Sequence, residues 1–430
     1  MFSLVIGAVA VLALLAGVPI AFVILLASFL LIATDPFVSL GAVPAIFVQG
    51  VDSFILLSIP LFVVVGVIMN AGGISQRLLD LAVVLVGHFK AGIAHVNIVA
   101  SMIFSGMSGT TTSDVAGLGR IEIPMMVKEG FRPETAAVVT AVSATIGPII
   151  PPSVPFILYG ALTSTSIGKL FLGGLVPGVL LGLWLMAVIA WLAHRGRISS
   201  ARYTRERASV KLIGRAIGRS FWALLTPFIL VGGMITGWFT ATEAAGVAVV
   251  YAIAVVRYVY RTVTWRELFG MFCESAEYVG VIMIMVAAAS VFGWLVIQGG
   301  AAESLLSWLM AARLEPMMTL ILLNVVLLVL GMFVEATSMI ILLSPILVPI
   351  IKLTGIDPVH FGVVFVLNMM IATITPPVGI CGLIASQIAG VSVQKFSLEV
   401  IPYVIALILF LFVILFVPPL VTFLPNLVFG

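Results

Sequence analysis

Two stretches of the chain, residues 106–177 and 331–402, carry the same pattern of glycines and prolines. They align without a gap at a constant offset of 225 positions, so that Gly106 pairs with Gly331. The matched prolines are Pro124, Pro133, Pro151, Pro152 and Pro177 in the first stretch and Pro349, Pro358, Pro376, Pro377 and Pro402 in the second. Shared hydrophobicity cannot match glycines and prolines in this way, so the chain contains two copies of one structural unit.

The composition places both copies in a membrane. Hydrophobic residues form 62% of the 430 residues, charged residues only 9%, and the mean hydropathy is +1.32. A soluble domain carries roughly 25% charged residues, and a bilayer crossing needs about twenty apolar residues. We therefore predict an all-α polytopic membrane protein. The predicted long apolar spans are 3–32, 54–72, 134–160, 170–193, 221–238, 242–260, 277–297, 359–386 and 400–424.

Each copy is predicted to contain a re-entrant helical hairpin followed by a helix that a proline pair interrupts. The hairpins cover 92–128 and 317–352, and the broken helices cover 134–160 and 359–386. Proline removes a backbone donor, and lipid cannot satisfy the carbonyls that a Pro-Pro pair releases, so each break must face protein or a wet cavity. Interrupted segments at matching places in two halves indicate the midplane binding site of a transporter.

A strongly basic segment, 194–220, separates a first repeat (1–193) from a second repeat (221–430). The segment carries eight Lys or Arg residues and one acid, Glu206, which favours a cytoplasmic loop. Counting spans from this loop predicts that the second copy is inverted relative to the first. The inversion requires that the short segment 302–312 lies along the membrane interface and does not cross.

The oxygen atoms that sodium needs are supplied by the hairpin tips, 105–114 and 331–338, and by the breaks, 147–153 and 373–379. The donors are Ser105, Ser108, Thr110, Thr111, Thr112, Ser143, Thr145 and the Gly147 carbonyl in the first copy, and Glu335, Thr337, Ser338, Asn368, Thr373 and Thr375 in the second. Two cation sites follow, and the N–H groups and helix dipoles between them favour an anion. Any single hydroxyl could instead bond back to its own helix. Asp114 either caps the second hairpin arm or belongs to the site, whereas an acid in an apolar stretch, such as Glu335, indicates a function.

The sequence carries no constellation for an enzyme. It has no Walker motif, no Gly-x-Ser-x-Gly elbow, no histidine pair at i, i+4 and no cysteine cluster. Any pumping by this chain is therefore expected to be driven by ions and not by ATP. A channel is the other non-enzyme alternative, because hairpins with broken helices also build pores.

Several motifs are similar to one known family. They are Ser105-Gly-Met-Ser-Gly109, Gly130-Phe-Arg-Pro133, Gly147-Pro-Ile-Ile-Pro-Pro-Ser153, Pro177-Gly178, Gly355-Ile-Asp-Pro-Val-His-Phe-Gly362 and Thr375-Pro-Pro-Val-Gly379. Together they resemble the large membrane subunit of tripartite ATP-independent periplasmic (TRAP) transporters. The resemblance implies an importer of organic anions, such as C4-dicarboxylates, sialic acid or other sugar and keto acids, in a bacterial or archaeal inner membrane. It also implies sodium coupling, an elevator motion, a small four-helix membrane subunit and a periplasmic substrate-binding protein.

The resemblance implies sodium sites at the hairpin tips and breaks, with sodium as the only metal and no cofactor. The predicted sodium-binding residues are Ser108, Gly109, Thr110, Ser143, Gly147, Pro151, Gly331, Glu335, Thr337, Thr373, Thr375 and Pro376. The predicted substrate-binding residues are Ser105, Thr111, Pro152, Ser153, Ser338 and Pro377. The first tip reads Met-Ser-Gly-Thr-Thr where family members often carry Ser-Gly-Ser-Ser, which leaves the ion-binding hydroxyl open. A related fold serves carriers of citrate and dicarboxylates that work without partners, so a stand-alone sodium- or proton-coupled carrier is the alternative.

Overall fold

A computed structural model describes residues 9, 12–13, 16–34, 40–198, 207–300, 307, 315–377 and 379–430, and only the backbone of Ser108. Within these ranges all regular secondary structure is helical, as the composition predicts. Apart from Ser307, the segment 302–312 on which the predicted inversion depends lies outside the described residues.

Among the described residues, four helices precede the first copy of the repeat. They are α1 (Ile20–Thr34), α2 (Ala42–Val51), α3 (Ser58–Ala71) and α4 (Ile74–Val86). Helices α3 and α4 meet at 69° across Gly72 and Gly73. Gly73 has a φ of +70°, a conformation that glycine adopts without steric cost, so the chain can turn sharply between these two helices.

The first copy folds into six helices. They are α5 (Gly92–Ser108), α6 (Thr111–Gly117), α7 (Gly119–Lys128), α8 (Pro133–Ser143), α9 (Val154–Thr163) and α10 (Ile167–His194). Helix α5 is the first arm of the hairpin, and α6 with α7 forms the second arm. Pro133 occupies the first turn of α8, where its missing N–H costs no hydrogen bond. Helix α8 tightens into a 3₁₀ turn, Ala144–Ile146, before the break that leads to α9.

In the described part of the connection between the two copies, there are three long helices. They are α11 (Val210–Ile235), α12 (Ala241–Ala254, extended by the π-helical turn Val255–Val259) and α13 (Trp265–Gln298). Capping boxes at Thr240 and Thr264 fix the starts of α12 and α13. Because α11 begins at Val210, the second part of the basic segment predicted as a loop is helical. The prediction of a loop was wrong for residues 210–220, which form the first turns of α11. Charge alone does not distinguish a basic loop from the basic end of a helix.

The second copy repeats this order. Its helices are α14 (Pro316–Gly331), α15 (Ala336–Thr354), α16 (Pro358–Ala372), α17 (Ile380–Ala389) and α18 (Val393–Phe416), followed by α19 (Pro419–Phe429). Asp357 caps α16, because its Oδ1 accepts the N–H groups of Val359 and His360, each at 2.8 Å. The Pro151–Pro152 and Pro376–Pro377 peptide bonds are both cis. The two copies therefore share their backbone plan as well as their sequence pattern.

Six helices in the described part of the chain are each long and apolar enough to cross a bilayer: α10, α11, α12 with its extension, α13, α15 and α18. The bent pair α3 and α4 adds a seventh crossing if it forms one span. The half-helices α8, α9, α16 and α17 have only 10 to 15 residues each. Every residue from Val359 to Ala372 in α16 is buried, so the broken helices form the centre of a multi-pass membrane protein.

The two copies pack on each other reciprocally. Helix α6 of the first hairpin contacts α17, the half-helix after the second break, and α15 of the second hairpin contacts α9, the half-helix after the first break. The first arm of each hairpin packs on its own copy, α5 on α8 and α14 on α16. Equivalent contacts exchanged between two copies are what a two-fold relation produces. The inversion of the two copies across the membrane stays a prediction.

Candidate functional site

The first break is a tight turn that Ser153 holds together. The Ser153 hydroxyl donates to the Pro148 carbonyl at 2.5 Å and accepts the Phe156 N–H at 3.2 Å, which caps α9. Pro151 has no backbone N–H to donate, so the Gly147 carbonyl, four residues earlier, loses its helical partner. The turn is buried, and the Gly147 carbonyl is chemically suited to ligate a cation.

The first hairpin tip lies directly on this break. The Val154 N–H donates to the Gly109 carbonyl at 3.3 Å. Gly109 has a φ of +65°, and a Cβ added to it would stand 2.9 Å from the Pro152 carbonyl oxygen. A Cβ at Gly106, earlier in the same arm, would stand 3.8 Å from the Pro151 carbonyl oxygen. The structure therefore brings three of the predicted residues, Gly109, Pro151 and Pro152, to one place.

Two polar side chains face the first tip and break. Thr110 and Asp114 are only 7% and 1% exposed. Among the described residues the Thr110 hydroxyl has no hydrogen-bond partner. Asp114 lies against Gly147, because a Cβ added to Gly147 would collide with Asp114 Oδ2. A buried hydroxyl that lacks a partner is costly unless something binds it, and a cation among these oxygens would satisfy it.

Ser143, which was predicted as a sodium ligand, belongs to a buried network between α5 and α8. Its hydroxyl donates to Asn97 Oδ1 at 2.5 Å, and Asn97 Nδ2 donates to Thr140 Oγ1 at 2.8 Å. Ser101 also donates to the Ser143 hydroxyl, at 3.1 Å. The network fixes the first hairpin arm to the half-helix that precedes the break.

Three further hydroxyls of the first copy are engaged elsewhere. Ser105 and Thr145 each donate to the carbonyl three residues earlier, both at 2.6 Å. Thr111 donates to the sulfur of Met370 in α16 at 2.9 Å, so the first hairpin tip touches the broken helix of the second copy. A hydroxyl that donates one hydrogen bond keeps lone pairs for a cation, so none of these contacts removes the oxygen as a ligand.

The second break, between α16 and α17, brings the backbone oxygens of two threonines together. The hydroxyls of Thr373 and Thr375 donate back to helix carbonyls at 2.7 and 2.6 Å. The Cys381 N–H donates to the Thr373 carbonyl at 3.0 Å, and a Cβ added to Gly379 would stand 3.0 Å from the Thr375 carbonyl oxygen. The turn that holds Pro376 and Pro377 is therefore compact, like its counterpart.

Glu335 forms the second hairpin tip as the cap of α15. Its carboxylate accepts the Ser338 N–H at 3.0 Å and the Thr337 hydroxyl at 2.8 Å. This cap accounts for an acid within an apolar stretch, because a carboxylate is stabilised at a helix N-terminus. Gly331 in the preceding arm packs on the end of α16, where a Cβ added to it would stand 2.6 Å from Ala372 Cβ. The second tip and the second break are thus neighbours.

An open cavity of about 440 Å³ lies beside the first tip. Helix α3 forms one wall, the first hairpin another and α13 the third. The polar side chains that line the cavity are Asn70, Thr110, Ser113, Arg120, Glu274 and Tyr278. The Ser75 hydroxyl donates to Asn70 Oδ1 at 3.0 Å, which leaves the Asn70 amide group beside Gly117 of the hairpin. Arg120, Asn70 and the hydroxyls thus offer hydrogen-bond donors to one ligand.

The sequence did not predict most of this cavity. Arg120 lies in α7, in the second arm of the first hairpin, and a cation in a re-entrant arm is itself a signal for an anion site. Asn70 and Glu274 stand in α3 and α13, outside the repeated stretches. The repeat therefore gave no reason to place them beside the first hairpin.

An all-helical, multi-pass membrane protein with paired hairpins and broken helices has the architecture of a secondary transporter. The chain belongs to the family described as "Tripartite ATP-independent periplasmic transporter, DctM component", whose model matches residues 6–420. It is accordingly a multi-pass protein of the inner membrane.

Named relatives are permeases of the same kind of system. The chain is 37% identical to the sialic acid TRAP transporter large permease protein SiaM of Vibrio cholerae, over 85% of this chain and 84% of the relative. It is 36% identical to the C4-dicarboxylate TRAP transporter large permease protein DctM of Pseudomonas aeruginosa, over 84% of each protein. It is 38% identical to the sialic acid TRAP transporter permease protein SiaT of Haemophilus influenzae, but spans only 58% of that longer protein.

Two solved structures share the fold. The YdaH transporter of Alcanivorax borkumensis superposes with a TM-score of 0.63 over 92% of this chain and 95% of that one, at 14% identity. MtrF of Neisseria gonorrhoeae superposes with a TM-score of 0.57 over 88% of this chain and 83% of that one, at 13% identity. At this identity the likeness extends to the fold alone.

Proposed function

We propose that this chain is the large permease subunit of an importer that carries an organic anion into the cell with sodium. The observation that carries the proposal is the pairing of each hairpin tip with a broken helix, beside a cavity of about 440 Å³. Broken helices at matching places in two halves typically bind the substrate and the coupling ions of secondary transporters. The names of three relatives refer to sialic acid, C4-dicarboxylates and 2,3-diketo-L-gulonate, all of which are organic anions.

The first sodium site is proposed at the tip of the first hairpin. The Thr110 hydroxyl, the Asp114 carboxylate and the carbonyls of the first break would surround the ion. The buried Thr110 oxygen, for which the described residues offer no partner, supports this position. The Asp114 carboxylate would balance the charge of a cation taken out of water.

The second sodium site is proposed at the equivalent tip. Glu335, Thr337 and Ser338 stand together there, and the contact between Gly331 and Ala372 places this tip next to the carbonyls of the second break. The two sites are proposed to be neighbours, because α6 of the first hairpin packs on α17 after the second break and the Thr111 hydroxyl donates to the sulfur of Met370 in α16 at 2.9 Å. Two sodium ions and one monocarboxylate substrate would carry a net charge of +1, and the Asp114 and Glu335 carboxylates at the two tips would offset it.

The substrate anion is proposed to bind in the cavity through Arg120. A guanidinium can hold a carboxylate by two parallel hydrogen bonds, and Asn70 and Ser113 can donate to the same ligand. Glu274 on the opposite wall would repel a second carboxylate but would accept hydrogen bonds from hydroxyl groups. A hydroxylated acid of the sugar-acid class therefore fits this cavity better than a plain dicarboxylate.

The proposed motion is an elevator in which the hairpins and broken helices move together past a scaffold. Helix α3 packs on α5 and α9, and α13 packs on α15. The substrate cavity lies between the first hairpin and these two scaffold helices. Movement of the hairpin along α3 and α13 would therefore carry the cavity from one side of the membrane to the other.

Two partners complete the proposed system: a small four-helix membrane subunit and a periplasmic binding protein that delivers the substrate. Relatives described as large permease proteins imply a smaller counterpart. Helix α13 exposes large apolar side chains along its length, including Phe269 at 71% and Val281 at 57%. Lipid or a second membrane subunit would cover such a face.

The test is uptake into proteoliposomes that contain this chain and its small subunit. Radiolabelled sialic acid and a C4-dicarboxylate are compared, with and without a sodium gradient and with and without the binding protein. Uptake of the sugar acid that needs both sodium and the binding protein supports the proposal. Uptake by this chain alone would favour the stand-alone carrier, and a non-saturating flux without sodium would favour a channel.

A further inference from the structure

A second open cavity, of about 620 Å³, lies between α4 and the basic start of α11. This cavity is separate from the transport site. It lies beside the basic segment 194–220, whose positive charge indicates the cytoplasmic side of the membrane. Its charged lining residues are Arg77, Asp80, Arg215 and Arg219. Arg215 and Arg219 are four residues apart on one helix and therefore share a face.

The charges of this cavity are unbalanced. Three arginines face one carboxylate, and the side-chain amide of Gln76 donates a hydrogen bond to that carboxylate, on Asp80, at 3.1 Å. The one ion pair of the described residues joins Arg132 to Glu399 in another part of the protein. No carboxylate of the described chain therefore lies within ion-pair distance of the three guanidinium groups, which leaves them available for an outside anion.

Contacts with an aromatic ring and with backbone carbonyls hold the walls of this cavity together. The Arg77 guanidinium lies 4.2 Å from the centre of the Tyr260 ring, and the Tyr260 hydroxyl donates to the Arg219 carbonyl at 3.2 Å. The Ser220 hydroxyl donates to the Arg77 carbonyl at 3.1 Å, which ties α11 to α4. The backbone that carries the arginines is therefore held in place before any ligand binds.

The surroundings of the cavity are those of a membrane surface. Val83, Val84 and Leu212 line it beside the arginines. On α11, one turn beyond the arginines, Phe221 and Trp222 expose 49% and 42% of their surface. Aromatic side chains concentrate at the level of the lipid headgroups, so the guanidinium groups stand at that level with apolar surface next to them.

We propose that this cavity binds the phosphate headgroup of an anionic phospholipid from the cytoplasmic leaflet. Basic pockets between membrane helices on that side suit acidic headgroups, and the apolar wall suits the start of the acyl chains. A soluble phosphate would use the arginines but not the apolar wall. The bound lipid would hold α4 against α11 and so stabilise the helices that flank the moving parts.

The test is thermal unfolding of the full chain in neutral detergent with increasing concentrations of short-chain phosphatidylglycerol. Matched titrations use phosphatidylcholine of the same chain length, inorganic phosphate and glycerol 3-phosphate. A ligand that binds only the folded state raises the unfolding midpoint in a saturable way, and the half-saturating concentration reports its affinity. We expect phosphatidylglycerol to do so at much lower concentrations than inorganic phosphate or glycerol 3-phosphate, and phosphatidylcholine not to do so.

The variants make the assignment specific. A basic residue near an acidic lipid surface contributes roughly fivefold in affinity, so R215Q/R219Q should raise the half-saturating concentration roughly 25-fold. The control R195Q/R197Q removes the same charge from the same basic segment outside the cavity and should leave the value unchanged. R215K/R219K keeps the charge and should retain most of the binding, which separates lost charge from misfolding. Equal stabilisation by phosphatidylcholine or by free phosphate, or equal binding by R215Q/R219Q and its control, would overturn the proposal.

Discussion

Replacement of Gly109 by alanine tests whether the first hairpin tip must touch the first break. Gly109 has a φ of +65°. A residue with a side chain in this conformation costs about 1–2 kcal/mol. The added Cβ would also stand 2.9 Å from the Pro152 carbonyl oxygen and 3.4 Å from the Val154 nitrogen. Both are backbone atoms of a buried turn, so they cannot move aside as a flexible side chain would.

Gly355 provides a matched control. Its φ is +69°, but an added Cβ there would meet no atom within 4 Å. G355A therefore introduces the same backbone strain without the steric contact. Overpacking of a tight site adds about 1–3 kcal/mol, so G109A should lose about 2–5 kcal/mol against about 1–2 kcal/mol for G355A.

The assay is thermal unfolding in detergent together with uptake into proteoliposomes for both variants. We expect G355A to unfold somewhat earlier than the wild type and to keep its uptake. G109A should unfold earlier still and lose uptake, because the alanine pushes the tip away from the break. If both variants lower the unfolding midpoint equally and G109A transports normally, the tip does not need to contact the break and the reasoning is refuted.

Three further substitutions test other parts of the account. R120Q should raise the KM for the anion roughly 10- to 150-fold, since a charged hydrogen bond contributes about 1.5–3 kcal/mol. The control R132Q, in an exposed ion pair, should change the KM little. Equal effects of the two variants in uptake assays would exclude Arg120 from the site. N97L should lower the free energy of unfolding by about 1–3 kcal/mol, because it removes two buried hydrogen bonds, from Ser143 to Asn97 and from Asn97 to Thr140. An unchanged denaturation curve would contradict the network. D357A should cost about 0.5–2 kcal/mol of stability through the lost cap of α16, measured in the same way, and no loss would mean that the two N–H groups find other partners.

The repeated elements could be predicted because glycine and proline act on the backbone locally. Pro133 and Pro358 start α8 and α16, and the Pro-Pro pairs mark both breaks at matching positions. No such local pattern of residues indicates which helix of the other copy packs against each hairpin. The contacts of α6 with α17 and of α9 with α15 join residues from opposite copies, so they became visible only in the structure.

For the same reason the arrangement around the candidate site could be predicted in part, whereas the binding roles of its residues stay predictions. Gly109, Pro151 and Pro152 meet because backbone geometry brings a tip and a break together. The surrounding cavity depends on α3 and α13, which lie outside the repeated stretches, and the sequence pattern therefore gave no information on Asn70 or Glu274. The sequence marked Glu335 as functional from its apolar context, and the structure adds that its carboxylate caps a helix.

The central claim is that the two hairpin tips bind the coupling sodium ions, and the sodium dependence of uptake tests it most directly. Uptake is measured at graded sodium concentrations for the wild type, T110V, T337V and the control T354V. The Thr354 hydroxyl bonds back to its own helix at 2.8 Å, near the end of α15 and away from both tips. The account predicts that T110V and T337V each raise the half-saturating sodium concentration, whereas T354V leaves it unchanged. Unchanged sodium dependence in both tip variants, or full uptake without sodium, would contradict the account.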